Sequence, residues 1–167
     1  MSGSFVFYFH LLGFGFITTA LVAGWYLHLR FTSSQSPEIR TATRTMMRAL
    51  TILSAASGLL LLATGIGNIF NLYHETPILW YQQGWLVIKI VLFGVMLVNG
   101  TVFGPQLSGK RMRLLQNPEG GTGTEEDQKD LKYINRQLNW FYTVQSVLLL
   151  GIVFFSAFGT SKHPGYF

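Results

Sequence analysis

Ala49-Leu50-Thr51-Ile52-Leu53-Ser54-Ala55-Ala56-Ser57-Gly58-Leu59-Leu60-Leu61-Leu62-Ala63-Thr64-Gly65-Ile66-Gly67-Asn68-Ile69-Phe70 carries no formal charge, and the charge-free run extends to His74. About 20 mostly apolar residues in an α-helix are enough to cross the hydrocarbon of a bilayer. The unbroken apolar stretch Leu59–Ala63 does not alternate, so it does not read as a strand of a membrane β-barrel. Three further segments pass the same test: 5–29, 78–103 and 138–158. The reading is an all-α integral membrane four-helix bundle, a single domain over 1–167. The first segment is too long for the apolar core of a signal peptide and has no basic residue ahead of it.

Composition agrees. Of 167 residues, 49% are hydrophobic and only 11% charged, against about 25% charged in an average soluble domain. There is no Cys, which excludes disulfide scaffolds, thiolate metal sites, iron–sulfur clusters and cysteine nucleophiles.

Net charge is +5, and its placement reads as topology. Arg30, Arg40, Arg44 and Arg48 surround the first long loop; Lys110, Arg111, Arg113, Lys129, Lys132 and Arg136 surround the second. Ten of the twelve basic residues therefore share one face. By the positive-inside rule both loops are cytoplasmic and both termini lie on the outer, periplasmic side. The expectation is a multi-pass protein of the bacterial inner membrane, its basic face against anionic lipid headgroups. The partners expected are the lipid bilayer and either helices of other membrane proteins or further copies of this chain. Nucleic-acid binding is excluded, since no basic aromatic surface lies clear of the membrane.

The segment 116–128, rich in Gly and polar residues, reads as a mobile cytoplasmic loop. Thr124 and Asp127 resemble a capping box that starts the last helix. Trp25, Tyr26, Trp80, Tyr81, Trp140 and Tyr142 fall where an interfacial aromatic belt belongs.

Lys89 is the only formally charged residue inside any of these spans. Such residues face the bundle interior and mark function, or else snorkel or bond to neighbouring carbonyls. Gln82, Trp85, Lys89, Met96 and Asn99 fall on about one third of the helix circumference, a stripe that is either a site or a polar packing seam. No Asp or Glu lies in a span to neutralise the ammonium, so an anionic ligand such as a carboxylate or porphyrin propionate is its natural partner. His10 lies in the same membrane half, with Gly13 and Gly24 leaving space along its helix. It reads as a haem ligand or as an interhelical hydrogen-bonding histidine. His28, eighteen residues on and ~27 Å away along the same face, reads as an inner-interface residue. His74 and His163 read as solvated. Ser54, Gly58, Gly65 and Asn68 form a small-residue seam. Asn135, Asn139, Tyr142 and Ser146 form a polar stripe expected to converge on the Lys89 face. No P-loop, G-x-S-x-G, H-E-x-x-H or dinucleotide fingerprint is present.

With Phe9-His10-Leu11-Leu12, Tyr26-Leu27-His28-Leu29-Arg30-Phe31, Trp85-Leu86-Val87-Ile88-Lys89, Asn135-Arg136 and Asn139 in place, the chain resembles the HemJ-type protoporphyrinogen oxidases and the related CopD-like four-helix membrane proteins. The resemblance covers 5–158. It implies a b-type haem in the bundle, with His10 as its metal ligand and Lys89 as a catalytic residue that pairs with a propionate or positions the porphyrin. On that reading Trp85 packs on the macrocycle, and Asn99 lines the same cofactor-binding face. The implied activity is porphyrin or haem binding and oxidation of protoporphyrinogen, with electrons passing to a quinone or a respiratory partner. The chain departs from the family in having Asn99 and Gly100 where a further histidine is usual. It also lacks the family's acidic residue at the start of helix 2 and its proline within that helix. Two other readings stand beside this one: a non-catalytic structural subunit of a larger respiratory or photosynthetic complex, and a CopD-like copper permease.

Overall fold

A computed structural model of the chain describes residues 2–33, 37–73, 80–116 and 125–162. All of it but Gln83 is helical. The elements are α1 (Ser2–Ser33), α2 (Pro37–Tyr73), a 3₁₀ turn (Trp80–Gln82), α3 (Gly84–Val98), a π-turn (Asn99–Phe103), α4 (Gly104–Gln116) and α5 (Glu125–Lys162). The segments α3, π-turn and α4 run on as one column, so four columns result. Each contains a stretch long and apolar enough to cross a membrane: Phe5–Ser33, Thr41–Asn71, Gly84–Leu115 and Glu125–Gly159.

The helices outrun the spans read from charge. α2 starts at Pro37, twelve residues before Ala49, because proline suits the first helical position and nothing in 38–48 breaks a helix. α5 starts at Glu125, with Glu125, Glu126 and Asp127 in its first turn, where carboxylates complement the helix dipole. A helix start near Thr124 was the expectation. Thr124 itself lies outside the described residues, as do 117–124 of the expected mobile loop, whereas Gln116 closes α4 and 125–128 already belong to α5. α3 starts later than expected, at Gly84, since Gln83 is extended (φ −89°, ψ 94°) and its carbonyl accepts from Leu86 and Val87. His74 and His163 lie outside the described residues.

Glycines set how the columns meet. α1 and α2 are antiparallel: a Cβ on Gly67 would stand 3.2 Å from Val6, one on Gly65 3.5 Å from His10, and one on Gly13 3.2 Å from Leu61. The third column and α5 are antiparallel in the same way, with Gly159 under Trp85, Gly151 under Leu92 and Gly104 under Phe141. The two pairs join where Tyr142 sits over Gly24 and Leu97 over Gly58. At mid-height Ile17, Leu61, Met96 and Leu149, one from each column, make a buried apolar layer. Most other large apolar side chains point outward; Leu59, Phe70 and Leu150 are each about two-thirds exposed. In water such surface is unfavourable by about 25 cal/mol per Å², and hydrocarbon is the solvent that removes the cost. Tyr26 and Trp140 are exposed near one end of the bundle and Trp80 and Tyr81 near the other, as a belt requires. Trp25 and Tyr142 do not join it, because they stack on each other at 6.4 Å and 5°.

The Gly159 seat is the tightest. An added Cβ would lie 2.5 Å from the Trp85 indole, a rigid ring that cannot fold aside. Gly159→Ala is therefore expected to destabilise the fold by about 1–3 kcal/mol, lowering the melting midpoint in detergent by several degrees. Gly15→Ala, where a Cβ meets nothing within 4 Å, leaves the midpoint unchanged or slightly raised. Equal midpoints for the two variants would contradict this packing.

Candidate functional site

The interior holds polar side chains at three heights. At the end that carries the basic loops, His28 is fully buried and Arg111 is 3% exposed. Arg111 Nη1 donates to His28 Nδ1 at 3.0 Å. A guanidinium has no acceptor, so Nδ1 bears a lone pair, Nε2 bears the proton, and Nε2–H donates to Asn139 Oδ1 at 3.1 Å. Those two bonds select the neutral Nε2–H tautomer. Arg111 Nη2 reaches Met47 Sδ at 3.6 Å, and its Cζ lies 4.4 Å above the Phe31 ring, whose negative face favours a cation. Tyr142 lies over His28 with ring centroids 5.5 Å apart; it fits because Gly24 presents no Cβ beneath it. One side chain on α4 thus reaches α1 and α2 directly, and α5 through His28.

At the opposite end, His10 Nδ1 lies 2.9 Å from Thr64 Oγ1. The Thr64 hydroxyl gives its single proton to Leu60 O at 2.6 Å, so it accepts from His10 Nδ1–H. His10 Nε2 is left with its lone pair, the tautomer that a metal-ligating imidazole needs. Lys89, half-buried, holds its Nζ 5.7 Å from the Trp85 ring centroid. The antiparallel run of α1 and α5 and the seat of Trp85 on Gly159 put the helix-1 histidine and the helix-3 lysine at the same end of the bundle. Trp85 Nε1 is buried and has no partner in the protein.

At mid-height the π-turn intervenes. Gly104 N–H bonds to Asn99 O, five residues back, and Met96 O accepts from Gln145 Nε2 at 3.2 Å as well as from Asn99 N–H. Gly100 makes this possible, since a Cβ there would stand 3.0 Å from Gln145 Nε2.

Of the residues expected to form one site, Lys89 and Trp85 adjoin each other, and His10, bonded to Thr64, lies at the same end of the bundle. Asn99 shares their column but lies ten residues beyond Lys89, ~15 Å by helical rise, beside Gln145. The polar stripe of α5 does not converge on Lys89: Asn139 and Tyr142 meet His28 and Arg111 instead. His28 is an interior residue rather than an interface one. Arg111, counted among the loop cations, is a second buried charge besides Lys89. Sequence reading passed over it because it sits in a basic run. Among the described residues no group of three or more His, Asp or Glu is placed to hold a metal ion. Neither a protein-family model, nor a curated protein, nor a solved structure matches the chain.

Removing one partner of a buried charged hydrogen bond leaves the other stranded, and such bonds contribute about 1.5–3 kcal/mol. His28→Ala is therefore expected to destabilise the protein strongly, Arg111→Met less, and the double variant by less than the two effects summed. A double-mutant cycle on detergent melting should give a coupling of about 1.5–3 kcal/mol; additive effects would show that the contact carries no energy.

Proposed function

We propose that the protein is a multi-pass membrane protein that binds a b-type haem or a related porphyrin at the end of the bundle formed by His10, Thr64, Trp85 and Lys89. The supporting observation is the tautomer of His10: its Nδ1–H is taken by Thr64 Oγ1, which orients the ring and leaves Nε2 free to ligate. At the same end of the bundle stand a half-buried ammonium and an unpartnered indole N–H, two donors suited to one carboxylate. The chain's own residues therefore fit an axial ligand and a propionate contact. Lys89 and Trp85 would hold the carboxylate and thereby set the orientation of the macrocycle. His28, the other histidine among the described residues, is committed to Arg111 and Asn139, so it does not supply a second axial ligand. Bound haem would supply the redox centre. The resemblance to the HemJ-type enzymes makes oxidation of protoporphyrinogen, with electrons leaving to a quinone, the activity to assay. The basic loops, read by the positive-inside rule, support a cytoplasmic side for the His28–Arg111 end and an outer side for both termini, with a bacterial inner membrane as the proposed location.

A second reading, a non-catalytic subunit of a larger respiratory or photosynthetic complex, is favoured by the outward face of α1. Gly15, Thr19 and Ala23 recur there at four-residue spacing, and Thr19, Val22, Ala23 and Tyr26 line an open groove. Small residues in this pattern let another membrane helix approach closely.

The two readings separate by colour. Detergent-purified protein is expected to show a Soret band, with sharp α and β bands after dithionite. His10→Ala should abolish it while His28→Ala leaves it in whatever protein remains folded. A colourless preparation that co-purifies in fixed ratio with other subunits would favour the second reading instead.

A further inference from the structure

Among the described residues, five buried side-chain polar atoms have no protein partner: Trp85 Nε1, Asn99 Nδ2, Arg111 Nε, Asn135 Oδ1 and Gln145 Oε1. Every one lies on the third column or on α5, and none on α1 or α2. Buried polar groups in native proteins are almost always paired, with ordered water serving where protein does not.

The middle pair is the most closely defined. Gln145 is 6% exposed, and its amide cannot be turned round, because Met96 O accepts only and so requires Nε2 towards it. Oε1 therefore faces away from that carbonyl and requires a donor. Asn99 Nδ2, three residues along from Met96 and next to Gly100, requires an acceptor. Gly100, the residue after Asn99, lies against the same amide, where a Cβ would stand 3.0 Å from Gln145 Nε2, and the π-turn that begins at Asn99 is a feature that recurs at functional sites. Above them the layer of Ile17, Leu61, Met96 and Leu149 is apolar.

We propose that the π-turn and Gln145 form an internal water-binding site at the middle of the bundle. The ligand must donate to Gln145 Oε1 and accept from Asn99 Nδ2, which water does and a metal cation does not. Gly100 belongs to the site, since a Cβ there would press on the Gln145 amide. The bundle thus has a dry side, α1 packed on α2, and a hydrated seam between the third column and α5. On that seam water sits two helical turns from Asn139, and so from the His28–Arg111 cluster. This site is separate from the His10–Lys89 end, and it stands or falls independently of haem binding.

The test is radiolytic hydroxyl-radical footprinting of the full chain in detergent or nanodiscs, read as methionine oxidation by mass spectrometry. Radicals form from water where it is bound, and the thioether is a sensitive reporter. Met96 is 4% exposed and Met46 57%, so a dry interior would leave Met96 nearly unlabelled. We expect Met96 in the wild-type protein to be oxidised within a few-fold of Met46. In Asn99→Leu/Gln145→Leu, Met96 oxidation should fall by about tenfold while Met46 is unchanged. Gly100→Ala, which keeps both amides but displaces Gln145, should lower Met96 labelling as well and serves if the double variant does not fold. Negligible Met96 oxidation in the wild type, or oxidation unchanged in the variants, would overturn the proposal.

Discussion

A guanidinium withdrawn from water with no carboxylate against it is the constraint to which one end of this bundle is built. An isolated cation in a medium of low polarity is strongly unfavourable, so Arg111 must collect other partners. It does so from every side: an imidazole lone pair from α1, a thioether from α2, and an aromatic face from Phe31. His28 can serve only while neutral, and Asn139 Oδ1 fixes the tautomer by accepting a hydrogen bond from Nε2–H, which leaves the Nδ1 lone pair for Arg111. Each contact fixes the rotation of one helix about its axis, which apolar packing in lipid does poorly because a leucine is as well solvated by acyl chains as by another helix.

The glycines complete what the polar contacts begin. Between α1 and α2, and between the third column and α5, they let a side chain from one helix lie against the backbone of the next. The Gly159–Trp85 contact holds the indole beside Lys89. The Gly24–Tyr142 contact holds the phenol over His28. A change at either glycine is therefore felt as a displaced Trp85 or Tyr142 side chain.

Four helices long and apolar enough to cross a membrane were legible in the charge map, and the inward stripe of Trp85, Lys89 and Met96 in helical periodicity alone. Helix ends were not, because charge marks where hydrocarbon stops and not where hydrogen bonding stops. Arg40, Arg44 and Arg48 all ride on α2, and Lys110, Arg111 and Arg113 on α4. Arg111 did leave a signal in periodicity, since 100° per residue traced forward from Lys89 returns it to within about 40° of the same face, but its place in a basic run masked it. His28 did leave a signal, since it returns to the face of His10 with Gly24 one turn before it. Its interpretation as an interface residue followed from Arg30 next to it, and Arg30 does point out.

The two ends of the interior differ in kind. At one, His28 has both ring nitrogens engaged and is structural. At the other, His10 has one nitrogen engaged and one free, and so can bind. Both statements rest on assigning protons from donor and acceptor chemistry. The most direct check is solid-state ¹⁵N NMR of histidine-labelled protein in lipid bilayers near neutral pH, with the His10 and His28 signals picked out from those of the four histidines by substitution. The account predicts His28 as a neutral ring protonated at Nε2, with Nδ1 hydrogen-bonded to a guanidinium. An imidazolium or an Nδ1–H tautomer at His28 would mean that Arg111 is not bonded to it, and the organisation described for that end would fail.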